Sequence, residues 1–199
     1  MNSRLPFFDA DSATRLENAR HPYPVVSLFS GAMGLDLGLN EAGLRVAVSQ
    51  DMDKWCIETM RRNSHLAIDG DIRDLIESDP SCEFFLQASG VTREALFAVV
   101  GGPPCQPFST AGKRKGVEDA RGQLYQEFIK VVSALRPRFF IMENVKGLAS
   151  MPCDPADKQS KPVLDTILES FKAIGYHTVH GILDAVHYGT PQFRERLVI

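Results

Sequence analysis

Nothing in the 199 residues approaches the roughly 20 consecutive apolar residues that a membrane-spanning helix needs. The N-terminus, Met1-Asn2-Ser3-Arg4-Leu5-Pro6, lacks the charged-then-apolar order of a secretory signal, so a cytoplasmic chain is expected. The four cysteines, at 56, 82, 105 and 153, include no C-x-x-C pair, which excludes a zinc-finger pattern and a disulfide framework and leaves no metal site expected. A basic surplus is also missing. With a net charge of -3 the chain has no global attraction for polyanions, and any contact with nucleic acid is expected from local patches or from parts outside these residues. There is no G-x-G-x-x-G dinucleotide fingerprint, no internal repeat and no low-complexity tract. What remains is 44% hydrophobic and 24% charged, the composition of one folded domain with a sizeable core.

Alternating strand and helix patterns organise that core. Residues 1–24 read as a polar N-terminal arm, with Pro22 and Pro24 before the first apolar run. Val25–Phe29 reads as a buried strand, Ser30–Gly34 as a glycine turn, and Leu35–Ala42 as a helix closed by Gly43. Arg45–Ser49 predicts a second strand and Asp53–Asn63 a second helix with Asp53 as N-cap. Asp69 to Ile72 is expected as a loop, Pro80–Gly90 as a short surface helix, and Ala95–Val100 as a strand. Gln123–Leu135, Val163–Ile174 and the runs Phe139–Met142, Thr178–Leu183 and Leu197–Ile199 supply the remaining helices and strands. This alternation predicts an α/β fold, Rossmann-like and doubly wound around a mostly parallel sheet.

Open sheets of this kind keep their chemistry at the carboxyl ends of the strands. Gly101-Gly102-Pro103-Pro104-Cys105-Gln106-Pro107-Phe108-Ser109 places one thiol there, on a loop stiffened by three prolines and far in sequence from any other cysteine. The plainer alternative is a buried free cysteine in a turn. Gly31 and Gly34 open a helix N-terminus to a polar ligand group, Asp51 follows the second strand where a ribose would offer hydroxyls, and Asp71 can accept from an adenine amino group. Each acid taken singly is equally explained as an N-cap or a solvated loop carboxylate. Glu143-Asn144-Val145 follows the Phe139–Met142 strand, setting a carboxyl near Cys105 if the two strands are neighbours. Arg194 and Arg196, at period two, suit a carbonyl oxygen or a phosphate.

In the order of these segments the sequence closely resembles the cytosine-C5 DNA methyltransferase family. Phe29-Ser30-Gly31-Ala32-Met33-Gly34 is similar to its first cofactor motif, with Asp51 and Asp71-Ile72 similar to the next two. Gly102-Pro103-Pro104-Cys105-Gln106 is similar to its nucleophile motif, and Asp119 to Leu124, Glu143-Asn144-Val145 and Gln192 to Arg196 complete the series. The resemblance implies the class I methyltransferase fold and S-adenosylmethionine as cofactor. It further implies Cys105 as the nucleophile on C6 of a flipped-out cytosine, Glu143 at N3, and Arg196 with Arg194 at the base oxygen. By the same resemblance Phe29, Gly31, Gly34, Asp51, Met52, Asp71, Ile72, Pro104 and Leu124 would bind the cofactor, and Gln106, Ser109 and Asn144 the substrate. Ser109 to Gly122, with Gly112, Gly116, Lys113, Arg114 and Lys115, has the hinges and charges of a loop that closes on DNA.

Two departures are small: Met33 stands where the family has glycine, and Asp51 where it more often has glutamate. The larger one is that residues 25–199 carry the catalytic and cofactor-binding motifs without a target-recognition region or the closing motifs. The expectation is a catalytic half that acts on double-stranded DNA in a restriction-modification or related bacterial system, either truncated or completed by a second polypeptide carrying target recognition. An inactive cofactor-binding remnant and a transfer-RNA methyltransferase are the alternatives; the Cys-Phe-Thr signature of the latter is absent. The Asn/Asp-Pro-Pro-aromatic motif of adenine-N6 methylation is absent as well.

Overall fold

A computed structural model describes residues 23–104, 124–154, 157 and 159–199. Cys105, Gln106, Ser109 and the loop up to Gly122 lie outside the described residues, as does the N-terminal arm apart from Tyr23 and Pro24. The chain forms two compact units: Met1–Gly101 with Ala134–Phe140, and Gly102–Ser133 with Ile141–Ile199.

In the first unit the strands β1 (Pro24–Leu28), β2 (Arg45–Asp51), β3 (Ala67–Asp69) and β4 (Ala98–Gly101) run parallel in the order β3-β2-β1-β4. β1 and β4 are buried at every position, as strands covered on both faces must be, and their sequences PVVSL and AVVG are accordingly almost wholly apolar. Leu28 pairs with Gln50 and with Gly101, and Asp51 with Asp69. Phe29, Asp51, Gly70 and Gly101 therefore leave the strands along one edge. The helices of this unit are α1 (Gly34–Glu41), α2 (Lys54–Arg62), α3 (Ile72–Ser78) and α4 (Glu83–Ser89). Met33, from the turn after β1, packs with Ile57 and Met60 of α2 in one buried cluster.

One sequence-based expectation fails here. Asp69 to Ile72 is not one loop, because Ala67–Asp69 pairs with β2 and Asp71 caps α3 by accepting from the Arg73 N–H. A three-residue strand is too short for alternation to reveal it. α4 is a surface helix as expected, with Gln87 and Ala88 exposed, and β2 supplies packing for the face that buries Phe85 and Leu86.

β5 (Phe139–Val145) begins in the first unit, where the Phe139 N–H donates to the Phe97 carbonyl at 2.9 Å, and continues in the second. There it is followed by β7 (Glu195–Val198) and β6 (Gly181–Asp184) in the antiparallel order β5-β7-β6. Pairing with β7 carries β5 three residues beyond the expected Met142, so Glu143 and Asn144 lie inside a strand rather than after one. α5 (Leu124–Leu135) starts in this unit, and α6 (Val163–Ala173) completes it. α6 buries Leu164, Ile167 and Phe171, a stripe at helical spacing, and the Phe171 ring meets Phe128 of α5 edge-on with centroids 6.3 Å apart. Burying such side chains stabilises the fold by about 1.5–3 kcal/mol each. Among the described residues no helix is long and apolar enough to cross a membrane.

Candidate active site

The turn after β1 is built on unusual backbone. Phe29 and Met33, neither of them glycine, adopt φ of 53° and 70°, on either side of Gly31 at 57°. Left-handed geometry costs an L-residue about 1–2 kcal/mol, so surrounding contacts must hold it. They do so from β2. The Gly31 N–H donates to Asp51 Oδ2 at 2.8 Å, the Ser30 N–H to the Gln50 carbonyl at 3.1 Å, and the Phe29 N–H to Gln50 Oε1 at 3.4 Å. Gln50, 1% exposed, also donates from Nε2 to the Gly70 carbonyl at 2.6 Å, tying the ends of β1, β2 and β3 together.

The Asp51 carboxylate accepts a second bond, from the Asp53 N–H at 2.9 Å, and each of its oxygens keeps further acceptor capacity. Met52 beside it is 61% exposed. At Gly31 and Gly34 an added Cβ would meet nothing within 4 Å, so bare backbone faces open space at both positions. Asp71 accepts from the Arg73 Nε–H at 3.0 Å as well as capping α3, and the Arg73 guanidinium holds its carboxyl below the usual carboxylate range. Ile72 is buried at the start of α3 and contributes no exposed side chain. Of the remaining expected cofactor residues, Pro104 is exposed and Leu124 buried, both in the second unit.

The second unit gathers the residues expected to handle a base. Arg196 lies opposite Val145 in the β5–β7 ladder, which makes Glu143 its diagonal neighbour on the same face, and Arg196 Nε reaches Glu143 Oε1 at 2.9 Å. Both side chains stay partly open, at 25% and 32% exposure, so the pair can meet a ligand. The other oxygen, Oε2, stands 3.0 Å from where a Cβ on Gly102 would be. Asn144 alternates to the opposite face, where its buried amide donates from Nδ2 to the Pro103 carbonyl at 2.9 Å. Its Oδ1 accepts from the Val145 N–H at 2.9 Å. The amide expected to contact substrate is thus committed to the backbone two residues before Cys105. Arg194 precedes β7, its N–H donates to Asp184 Oδ1 at 2.8 Å, and its side chain is exposed.

A glycine-cleared edge with a strand-end carboxylate, and a Glu–Arg pair beside Gly102, agree with the comparison to known families. The family model for C-5 cytosine-specific DNA methylase matches residues 23–199. The chain belongs to this family. The Type II methyltransferase M.AquIA of Picosynechococcus sp. is 40% identical over 182 residues, covering 88% of this chain and 70% of that protein. M.NgoFVII of Neisseria gonorrhoeae, another Type II methyltransferase, is 34% identical over 190 residues, covering 94% of this chain and 45% of its own. Among solved structures, an E. coli prophage protein described as a DNA modification methyltransferase superposes with a TM-score of 0.66 at 28% identity, over 88% of this chain and 45% of that one. A Dnmt2 of Spodoptera frugiperda shares the fold at 20% identity with a TM-score of 0.63. This methylase-family chain thus spans less than half the length of several relatives it matches. Its mixed, mostly parallel sheet is that of class I methyltransferases.

The family's methyl donor is S-adenosylmethionine, and the first unit fits it. The Gly31 N–H is already taken by Asp51 and is not offered to a phosphate, and this cofactor has none. Asp51 retains acceptor sites for hydroxyls, Gly31 and Gly34 admit close approach, and Met52 offers an exposed apolar side chain.

The sequence reading missed Gln50, Ser27, Asp36, Ser49 and His65. A glutamine inside the strand Arg45–Asp51, directly before Asp51, was the one available signal, because a polar side chain in a buried strand must have partners. Asp36 gave no such signal. An acid in the first turn of a helix is ordinary on a surface, and its complete burial emerges only from the fold.

Proposed function

We propose that the chain carries the catalytic machinery of a DNA cytosine-C5 methyltransferase. The Cys105 thiolate adds to C6 of a cytosine taken out of the helix, and the ring electrons move to C5. Glu143 holds a proton at N3, which stabilises the ring as sulfur adds, while Arg196 and Arg194 bind the base oxygen and adjacent charge. S-adenosylmethionine, when bound, supplies an electrophilic methyl group to C5. Loss of the C5 proton to water then restores the double bond and expels the Cys105 thiolate. Phe29, Gly31, Gly34, Asp51, Met52, Asp71, Ile72, Pro104 and Leu124 are assigned to the cofactor, and Gln106 and Ser109 to substrate.

The observation that supports this reading most is the Glu143 carboxylate, held at 2.9 Å by Arg196 on one strand face while the neighbouring Asn144 fastens Pro103, two residues before Cys105. In its finer form the proposal makes double-stranded DNA the substrate of a cytoplasmic, nucleoid-associated enzyme in a restriction-modification setting, acting together with a target-recognition region. The test incubates the protein with labelled S-adenosylmethionine and DNA, alone and with a chain carrying a target-recognition region, and digests the DNA for mass spectrometry. Label in 5-methylcytosine is expected, and its loss in Cys105→Ser. Label in N6-methyladenine, or none in either mixture from folded protein, would refute the reading.

A further inference from the structure

A buried polar network behind the glycine turn has no place in the chemistry above. Asp36, in the first turn of α1, is 0% exposed, and both of its oxygens accept from serine hydroxyls at 2.6 Å: Oδ1 from Ser27 on β1 and Oδ2 from Ser49 on β2. Ser30, inside the turn, donates to Ser27 Oγ at 2.8 Å, and His65 Nε2 lies 2.7 Å from Ser49 Oγ. A hydroxyl has one proton. Ser49 gives its proton to Asp36, so His65 must donate to Ser49; Ser27 likewise gives its proton to Asp36 and accepts from Ser30. The bonds therefore run one way, from Ser30 through Ser27 and from His65 through Ser49, and both chains end on one carboxylate. Two hydroxyl donors and a place in the first turn of a helix are what an ionised carboxylate needs when buried.

We propose that Asp36 is a positioning residue for the methyl donor, setting both walls of its site from behind. This rests on the cofactor reading given above. One chain holds Ser30, at the centre of a turn whose flanking residues Phe29 and Met33 are left-handed and would otherwise relax. The other holds Ser49, the residue before Gln50 and Asp51, which grip the turn's N–H groups and Gly70. An asparagine at position 36 has the same shape but only one acceptor oxygen, so one chain must reverse or break.

The test measures binding of S-adenosylmethionine and of S-adenosylhomocysteine by calorimetry on the whole protein, with thermal melts, and KM and kcat wherever the preparation methylates DNA. Asp36→Asn, Ser27→Ala and Ser49→Ala should each weaken binding about tenfold and raise the KM for the donor, with kcat at saturating donor unchanged within about twofold. Because both serines act through one carboxylate, Ser27→Ala with Ser49→Ala should lose clearly less than the roughly hundredfold product of the two. Leu96→Ala, a buried residue before β4, serves as a stability control that lowers the melting temperature and keeps the affinity. If Asp36→Asn does not fold, the serine variants decide. Wild-type protein that binds neither compound overturns the cofactor reading itself. Wild-type protein that binds, with serine variants within twofold of it or strictly multiplicative losses, overturns this inference alone.

Discussion

Replacing Gly102 by alanine sets a Cβ 3.0 Å from Glu143 Oε2, closer than ordinary van der Waals contact, and no strain of the left-handed kind enters. Two responses compete. Shifting the backbone works against the Pro103–Asn144 hydrogen bond, and overpacking of that kind costs about 1–3 kcal/mol. Swinging the carboxylate away breaks the Glu143–Arg196 pair, whose partners are 32% and 25% exposed and which contributes no more than about 1 kcal/mol after screening. The second route is cheaper. Gly102→Ala should therefore lose only about 1 kcal/mol, a melting shift of roughly 2–4 °C in a chain of this size. Its activity should fall far more, by about a hundredfold, because the displaced carboxylate no longer meets N3. The assay is a thermal melt paired with single-turnover methylation, repeated in a Glu143→Ala background where the clash is gone. Equal destabilisation by Gly102→Ala in both backgrounds, or an undiminished methylation rate, would refute the reasoning.

Asn144→Ala removes a buried donor and leaves the Pro103 carbonyl short of a partner, a loss of about 1–3 kcal/mol. Its methylation rate should fall about tenfold or more while calorimetric affinity for S-adenosylmethionine stays unchanged; weakened cofactor affinity would contradict the role given to this amide. Burial holds the His65 pKa below its usual 6.5, against the opposing pull of Asp36. A depressed folded value means that this stability is present above pH 6.5 and lost as pH falls through the folded value. Chemical denaturation should accordingly show His65→Gln with a smaller loss of stability than wild type on acidification below pH 6.5. Asp36 acts with the opposite sign, since burial raises its pKa above 3.8, so its part of the stability grows as the pH falls toward that value. Equal pH slopes in wild type and His65→Gln would show that the imidazole does not titrate with folding.

Much of the first unit was legible because its signals are local. Asp53 caps α2 through the Trp55 and Cys56 N–H groups, as its place before a helical pattern predicts, and β1 reads as buried because Val25, Val26 and Leu28 are contiguous. Glu143 was legible as a candidate carboxylate, but neither its place inside β5 nor its position diagonal to Arg196 was, since register between strands about 50 residues apart in sequence has no local signature. The expected pairing of Arg194 with Arg196 on one extended face rested on period two alone, and β7 begins only at Glu195. Asp36 and Asn144 are ordinary polar residues in the sequence. Their importance comes from tertiary burial, which converts a solvated group into one that must find every hydrogen bond inside the protein.

The central claim is that sulfur at position 105 adds to the base within reach of Glu143, and covalent trapping tests it most directly. DNA carrying 5-fluorocytosine at the target position cannot lose fluorine from C5 after methyl transfer, so the adduct should persist through denaturation. Peptide mapping should then find the nucleotide on Cys105, with no adduct from Cys105→Ser and slow trapping by Glu143→Gln. An adduct on any other residue, or one that forms equally well without the Cys105 thiol, would contradict the account.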